Sequence, residues 1–82
     1  MLVTVRYFAG AAAAAGVAEE KLDVPSGTTL GGLLAHVTAA RPAVEPVLAV
    51  ASLLVDEVAT RDRDALLPEG ATVDVLPPFA GG

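Results

Sequence analysis

Thr29-Leu30-Gly31-Gly32-Leu33-Leu34-Ala35-His36-Val37-Thr38-Ala39-Ala40-Arg41-Pro42 decides how the rest of the chain must fold. Leu30, Leu33, Leu34 and Val37 recur at the i, i+3, i+4, i+7 spacing of one helical face, Thr29 stands where an N-cap belongs, and Arg41-Pro42 ends the run. A helix with one apolar stripe needs an apolar surface to lie on. Gly31 and Gly32 each cost the first turn about 0.5–1 kcal/mol relative to alanine, which points to close approach by a neighbouring segment or to a plain imperfection.

The surface comes from segments on either side. Met1 to Phe8 alternates, with Val3, Val5 and Tyr7 on one face and Leu2, Thr4, Arg6 and Phe8 on the other, which is the period of a strand. Glu19 to Val24 alternates with Leu22 and Val24 facing in, before the Pro25-Ser26-Gly27 turn, so the first two strands form a hairpin. Its connection, Ala9 to Ala15 between Gly10 and Gly16, reads as a short docked helix. Beyond the long helix, Ala43 to Ala51 is interrupted by Pro46 and fits a loop, a turn or a short helix. Leu53 to Val55 and Val58 to Thr60 read as short strands across Asp56-Glu57, a poor substitute for Asn-Gly. Arg61-Asp62-Arg63-Asp64 reads as a solvated loop, and Ala71 to Leu76 as a last strand after the Pro68-Glu69-Gly70 turn. This order packs one main helix across one face of a mixed sheet, an α+β architecture. The domain covers residues 1–76, with a tail over 77–82.

Eighty-two residues suffice for one small domain, and 54% hydrophobic content is too high for a disordered chain. Without cysteine there is no disulfide framework, thiolate metal site or cysteine nucleophile. A net charge of −5 repels a phosphate backbone, so nucleic acid is not an expected partner. No apolar run approaches the roughly 20 residues of a membrane span, and the N-terminus is a strand rather than a leader. The expectation is a soluble, cytoplasmic protein that does not engage membranes. The inventory for catalysis is thin. His36 flanks the apolar stripe and reads as a solvated histidine; Ser26 belongs to a turn, Ser52 has no histidine at a recognisable spacing, and no metal-ligand, phosphate-loop or dinucleotide pattern occurs.

The C-terminal stretch Leu76-Pro77-Pro78-Phe79-Ala80-Gly81-Gly82 stands out. Two prolines stiffen the exit from the sheet, and an extended tail projects roughly 3 Å per residue from the domain. The last two residues carry no side chain, so they can thread a tunnel too narrow for a Cβ and present a terminal carboxylate at its far end. Phe79, past the last strand, gains nothing from the domain's own core and is expected to contact a partner.

The pattern Val3-Thr4-Val5-Arg6-Tyr7-Phe8-Ala9, the Leu-rich helix after Ser26-Gly27-Thr28-Thr29, the Glu69-Gly70 turn and the Pro-Pro-Phe-Ala-Gly-Gly ending together resemble the MoaD and ThiS family of sulfur carriers. The resemblance spans nearly the whole chain, and the paired prolines bring it closer to the MoaD branch. It implies a β-grasp, ubiquitin-like fold with a flexible Gly-Gly tail. The family's usual arginine in the first helix is replaced here by Ala11 to Ala15, and its Asn-Gly-like turn by Asp56-Glu57.

The resemblance also implies a function: sulfur transport for molybdenum cofactor biosynthesis, as a subunit of a transferase that leaves catalysis to its partners. Gly82 would be the modified terminus, adenylated and then converted to a thiocarboxylate, and Gly81 the threading residue. Phe79, Pro78, Pro77 and Leu76 would form the arm and its base, with Phe8 on the outer sheet face as a further contact. The implied partners are the large subunit of molybdopterin synthase, in a heterotetramer, an adenylating enzyme related to ubiquitin activators, and a sulfur donor protein. MgATP would be used by the activating partner, with neither cofactor nor metal held by this chain. Sulfur carriage for thiamine or cysteine biosynthesis and ubiquitin-like protein modification are the alternatives.

Overall fold

A computed structural model describes residues 1–78. The order is β1 (Leu2–Tyr7), α1 (Gly10–Ala15), β2 (Glu19–Asp23), α2 (Leu30–Ala40), a 3-10 turn (Pro42–Val44), α3 (Glu45–Leu48), β3 (Ser52–Val55), β4 (Val58–Ala59) and β5 (Thr72–Leu76). The strands form one sheet in the order β2-β1-β5-β3-β4, in which β1 and β5 run parallel and the other neighbours antiparallel.

Alternation dictates the core. Val3, Val5 and Tyr7 of β1, Leu53 of β3 and Val73 and Val75 of β5 are buried, as are Leu30, Leu33, Leu34 and Val37 of α2, and together they make one cluster. The stripe read from sequence is the packed face, while His36 lies exposed on the other side. The segment left open, Ala43 to Ala51, resolves into the 3-10 turn and α3, which seal the core with Val44 and Leu48. Gly16 ends α1 in the left-handed region at φ 82°, donating its N–H to the Ala12 carbonyl.

The start of α2 has no acidic residue in its first turn. Thr29 Oγ1 accepts the Gly32 N–H at 3.0 Å, and the connection before β5 supplies the other acceptors, Ala65 O for Leu30 and Arg63 O for Gly31, at 2.9 and 2.8 Å. A Cβ on residue 31 would stand 3.1 Å from that Arg63 oxygen, so of the two readings for Gly31 the close approach is correct. Asp56 and Glu57 both take positive φ, 47° and 71°, as a tight two-residue hairpin requires, and Asp56 Oδ1 accepts the Thr72 N–H at 2.9 Å.

Sequence alternation also turns Glu20 inward beside Leu22, where a bare carboxylate would be costly. It is instead met from two elements. Arg41 donates to it through Nε and Nη2 at 2.8 and 3.1 Å, Tyr7 Oη donates at 2.5 Å, and Arg41 Nη1 reaches the Ala15 carbonyl at 2.7 Å. This cluster ties β1, β2, the end of α1 and the end of α2 together. Hydrogen bonding from Arg41, with that from Tyr7, holds the Glu20 carboxyl below its usual value against the opposing effect of burial. Burial, then the bond to Glu20, pushes the Tyr7 phenol above its usual value.

Two predictions follow from this packing and charge arrangement. Leu33→Ala should destabilise by about 2–5 kcal/mol in a chemical denaturation curve, whereas His36→Ala should leave the midpoint unchanged. The unfolded Glu20 takes up its proton near pH 4.3 and the folded one only at lower pH, so stability should fall as pH drops through the folded value. Tyr7 acts in the opposite sense: its contribution is intact below about pH 10 and is lost as pH rises further. Denaturation midpoints measured across pH should show both limbs, with Glu20→Gln flattening the acid one and Tyr7→Phe the alkaline one.

Candidate functional site: the exit of the last strand

β5 is held on both sides, Val75 opposite Tyr7 of β1 and Leu53 of β3, and Leu76 opposite Ser52. Because β1 and β5 run parallel, their C-terminal ends arrive at the same edge of the sheet. The Phe8 N–H donates to the Val75 carbonyl at 3.2 Å, continuing the ladder one residue past β1. Phe8 and Leu76 then fall on the same outer face, across from one another. Pro77 cannot donate to a ladder, and there the strand stops. Leu76 and Pro77 are half-buried and Pro78 is exposed.

Four of the residues singled out from sequence, Phe8, Leu76, Pro77 and Pro78, therefore meet at one corner. Phe8 is 39% exposed, an uncovered aromatic beside the strand exit. Phe79, Gly81 and Gly82 lie outside the described residues. Among the described residues no group of three or more His, Cys, Asp or Glu side chains could hold a metal ion, and no helix is long and apolar enough to cross a membrane.

Sequence reasoning missed the pair that stiffens this corner. Arg6 Nε and Nη2 donate to Asp74 Oδ1 and Oδ2 at 2.6 and 2.7 Å, a two-pronged bridge between β1 and β5 on the outer face. Asp74, alternating in sequence like a solvated residue, is only 4% exposed as a result. The Arg6 guanidinium carbon lies 5.7 Å from the centre of the Phe8 ring, so the same cation braces the aromatic. The only signal in the sequence is that both charges share the outer parity of their strands. Knowing that β1 pairs with β5, and in which register, is needed to see more.

After Phe8 the backbone reverses at Ala9, with φ 49° and ψ −125°, a conformation that a side chain disfavours. This bend aims α1 back over the core while leaving Phe8 on the outer face.

The ThiS family model matches residues 5–82. The molybdopterin synthase sulfur carrier subunit of Chlamydomonas reinhardtii is 36% identical over 84 residues, covering all of both chains. SAMP1 from Haloferax volcanii superposes with a TM-score of 0.89 at 24% identity, again over all of both chains. A similar structure, with a TM-score of 0.75 and 21% identity over both full chains, is found in the protein-protein complex of subunits 1 and 2 of the molybdopterin-converting factor from Helicobacter pylori. The two solved structures share the ubiquitin-like β-grasp fold with this chain.

The bend before α1 gives a direct test of the local geometry. Ala9→Gly removes the side chain from a disfavoured backbone state, and should stabilise the domain by about 1 kcal/mol. A raised melting temperature with an unchanged spectrum at Phe8 is the expected outcome.

Proposed function

The chain belongs to the ThiS family, and from that premise we propose that it is a sulfur carrier for molybdenum cofactor biosynthesis, the small subunit of a molybdopterin synthase. The observation that carries this reading is the 36% identity, end to end, with the sulfur carrier subunit from Chlamydomonas reinhardtii. The ending Leu76-Pro77-Pro78-Phe79-Ala80-Gly81-Gly82 supports it from within the sequence.

The working group is the carboxylate of Gly82. A carboxylate is a poor electrophile, so it must first acquire a leaving group. In an adenylating partner that uses MgATP, its oxygen attacks the α-phosphorus, pyrophosphate departs and a mixed anhydride with AMP forms. Sulfide-level sulfur, released by a donor protein as hydrosulfide, then attacks the carbonyl carbon, AMP leaves with the electron pair of the C–O bond, and Gly82 ends as a thiocarboxylate. The large synthase subunit receives the tail, and the sulfur passes to a pterin precursor there. This chain holds neither the nucleotide nor the pterin, and it works in the cytoplasm.

What the domain contributes is placement. A tail is useful only if its base is fixed, and the base here grows from a strand paired on both sides, braced by Arg6 and Asp74. Phe8, Leu76 and Pro77 provide an apolar shoulder at that base for the receiving partner. The assembly of subunits 1 and 2 in Helicobacter pylori supports a large-subunit partner for a chain of this fold.

Intact-mass analysis after incubation with the adenylating enzyme, ATP and a sulfur source tests the reading. The expected product is the chain with one oxygen exchanged for sulfur. A covalent adduct with a second protein would instead mark a protein modifier. Gly82→Ala should fold with an unchanged melting curve and lose most of the sulfur transfer, because the added methyl group must pass through a channel shaped for bare backbone.

A further inference from the structure

Of the five basic residues of this acidic chain, Lys21 stands by itself and exposed on β2, and the four arginines are unequally engaged. Arg6 is bound to Asp74 and Arg41 to Glu20. Arg61 and Arg63, in contrast, have no carboxylate partner among the described residues, and both line one cleft of about 320 Å³ with Ala51, Ser52, Leu53 and Thr60. The alternation in Arg61-Asp62-Arg63-Asp64 separates the signs. The two acids do not line the cleft, and Asp62 Oδ1 accepts the Asp64 N–H at 2.9 Å instead.

The cleft is built on fixed backbone. The Arg63 carbonyl is clamped to the first turn of α2 through Gly31, and the Thr60 N–H donates to the Leu53 carbonyl at 2.9 Å, where the chain diverges from β3 after the two residues of β4. Ser52, on the cleft wall, is the register partner of Leu76, the last residue before the tail. The cleft is therefore separated from β5, and so from the base of the tail, by β3 alone.

We infer that Arg61 and Arg63 form an anion-binding contact for Asp or Glu side chains on the protein that receives the tail. The inference rests on the proposed sulfur-carrier function, since it takes that protein as the occupant. A net charge of −5 repels any partner with an acidic rim around its tail-receiving cleft. Two free guanidiniums in one cleft reverse that repulsion locally and orient the complex, which is what charge complementarity does best at an interface. Nucleotide phosphate is the competing anion. Titration with AMP separates it from a carboxylate partner.

The test has two arms, both on the full chain. In the first, 1H–15N spectra are recorded during titration with a hexaglutamate peptide and, separately, with AMP. Hexaglutamate should move the Nε–H signals of Arg61 and Arg63 and the amides of Leu53 and Thr60, leaving Arg6 and Arg41 in place. No localised movement, or movement with AMP alone, overturns the inference. In the second arm, the dissociation constant for the large synthase subunit is measured for wild type, Arg61→Gln/Arg63→Gln and Arg61→Glu/Arg63→Glu, each checked by a melting curve. At low salt the charge-reversed chain should bind about tenfold or more weakly, with the neutral variant between, and the gap should narrow to about threefold or less near ~0.5 M salt. Equal low-salt affinities for all three overturn the inference. A wild-type chain that fails to bind the large subunit counts against the sulfur-carrier reading instead, and the peptide titration then decides the arginine site by itself.

Discussion

The parallel pairing of β1 with β5 is the constraint on which the remaining structure depends. It joins residues 68 positions apart, Arg6 to Asp74 among them, and so closes the sheet across nearly the whole chain. The pairing buries Val73 and Val75 against the helix face. It also brings the ends of both strands to one edge, which is why Phe8 stands beside the base of the tail. A carrier whose reactive group rides on a slender extension needs a rigid point of departure, and a central strand bonded on both sides is the stiffest element a small sheet can offer.

Charge is used sparingly and in distinct ways. Glu20 and Asp74 are the acids drawn out of solvent, and each is met by an arginine from a distant part of the chain. Truncating one partner of such a pair leaves the other poorly solvated, so these contacts specify how elements meet more than they add to stability. Arg61 and Arg63 are left over from this pairing. Their cleft, one strand away from β5, gives the domain an orienting charge for the proposed partner.

The division of labour agrees with the sparse catalytic inventory. In the proposed function the chain provides one carboxylate, a fixed base and a shoulder of Phe8, Leu76 and Pro77. Activation chemistry needs a nucleotide, a nucleophilic sulfur and a protected cleft, which the proposed function assigns to partners.

Much of this architecture is written in local periodicity. The α2 stripe, the alternation in β1 and β5, the hairpin of β1 and β2, and the Pro-Pro-Phe-Ala-Gly-Gly ending are each legible without neighbours, because helix and strand periods and the chemistry of proline and glycine act over a few residues. Which strands become neighbours is not local. The burial of Asp74, its grip on Arg6 and the answer to inward-facing Glu20 by Tyr7 and Arg41 all depend on register between distant segments. So does the convergence of Arg61 and Arg63, in a loop that is solvated as the sequence suggests, on one cleft. Sequence determined the elements and the Gly-Gly ending; the tertiary structure alone decided which charges are paired within the fold and which are left without a carboxylate among the described residues, because pairing distance in space has no counterpart in the linear spacing of the chain.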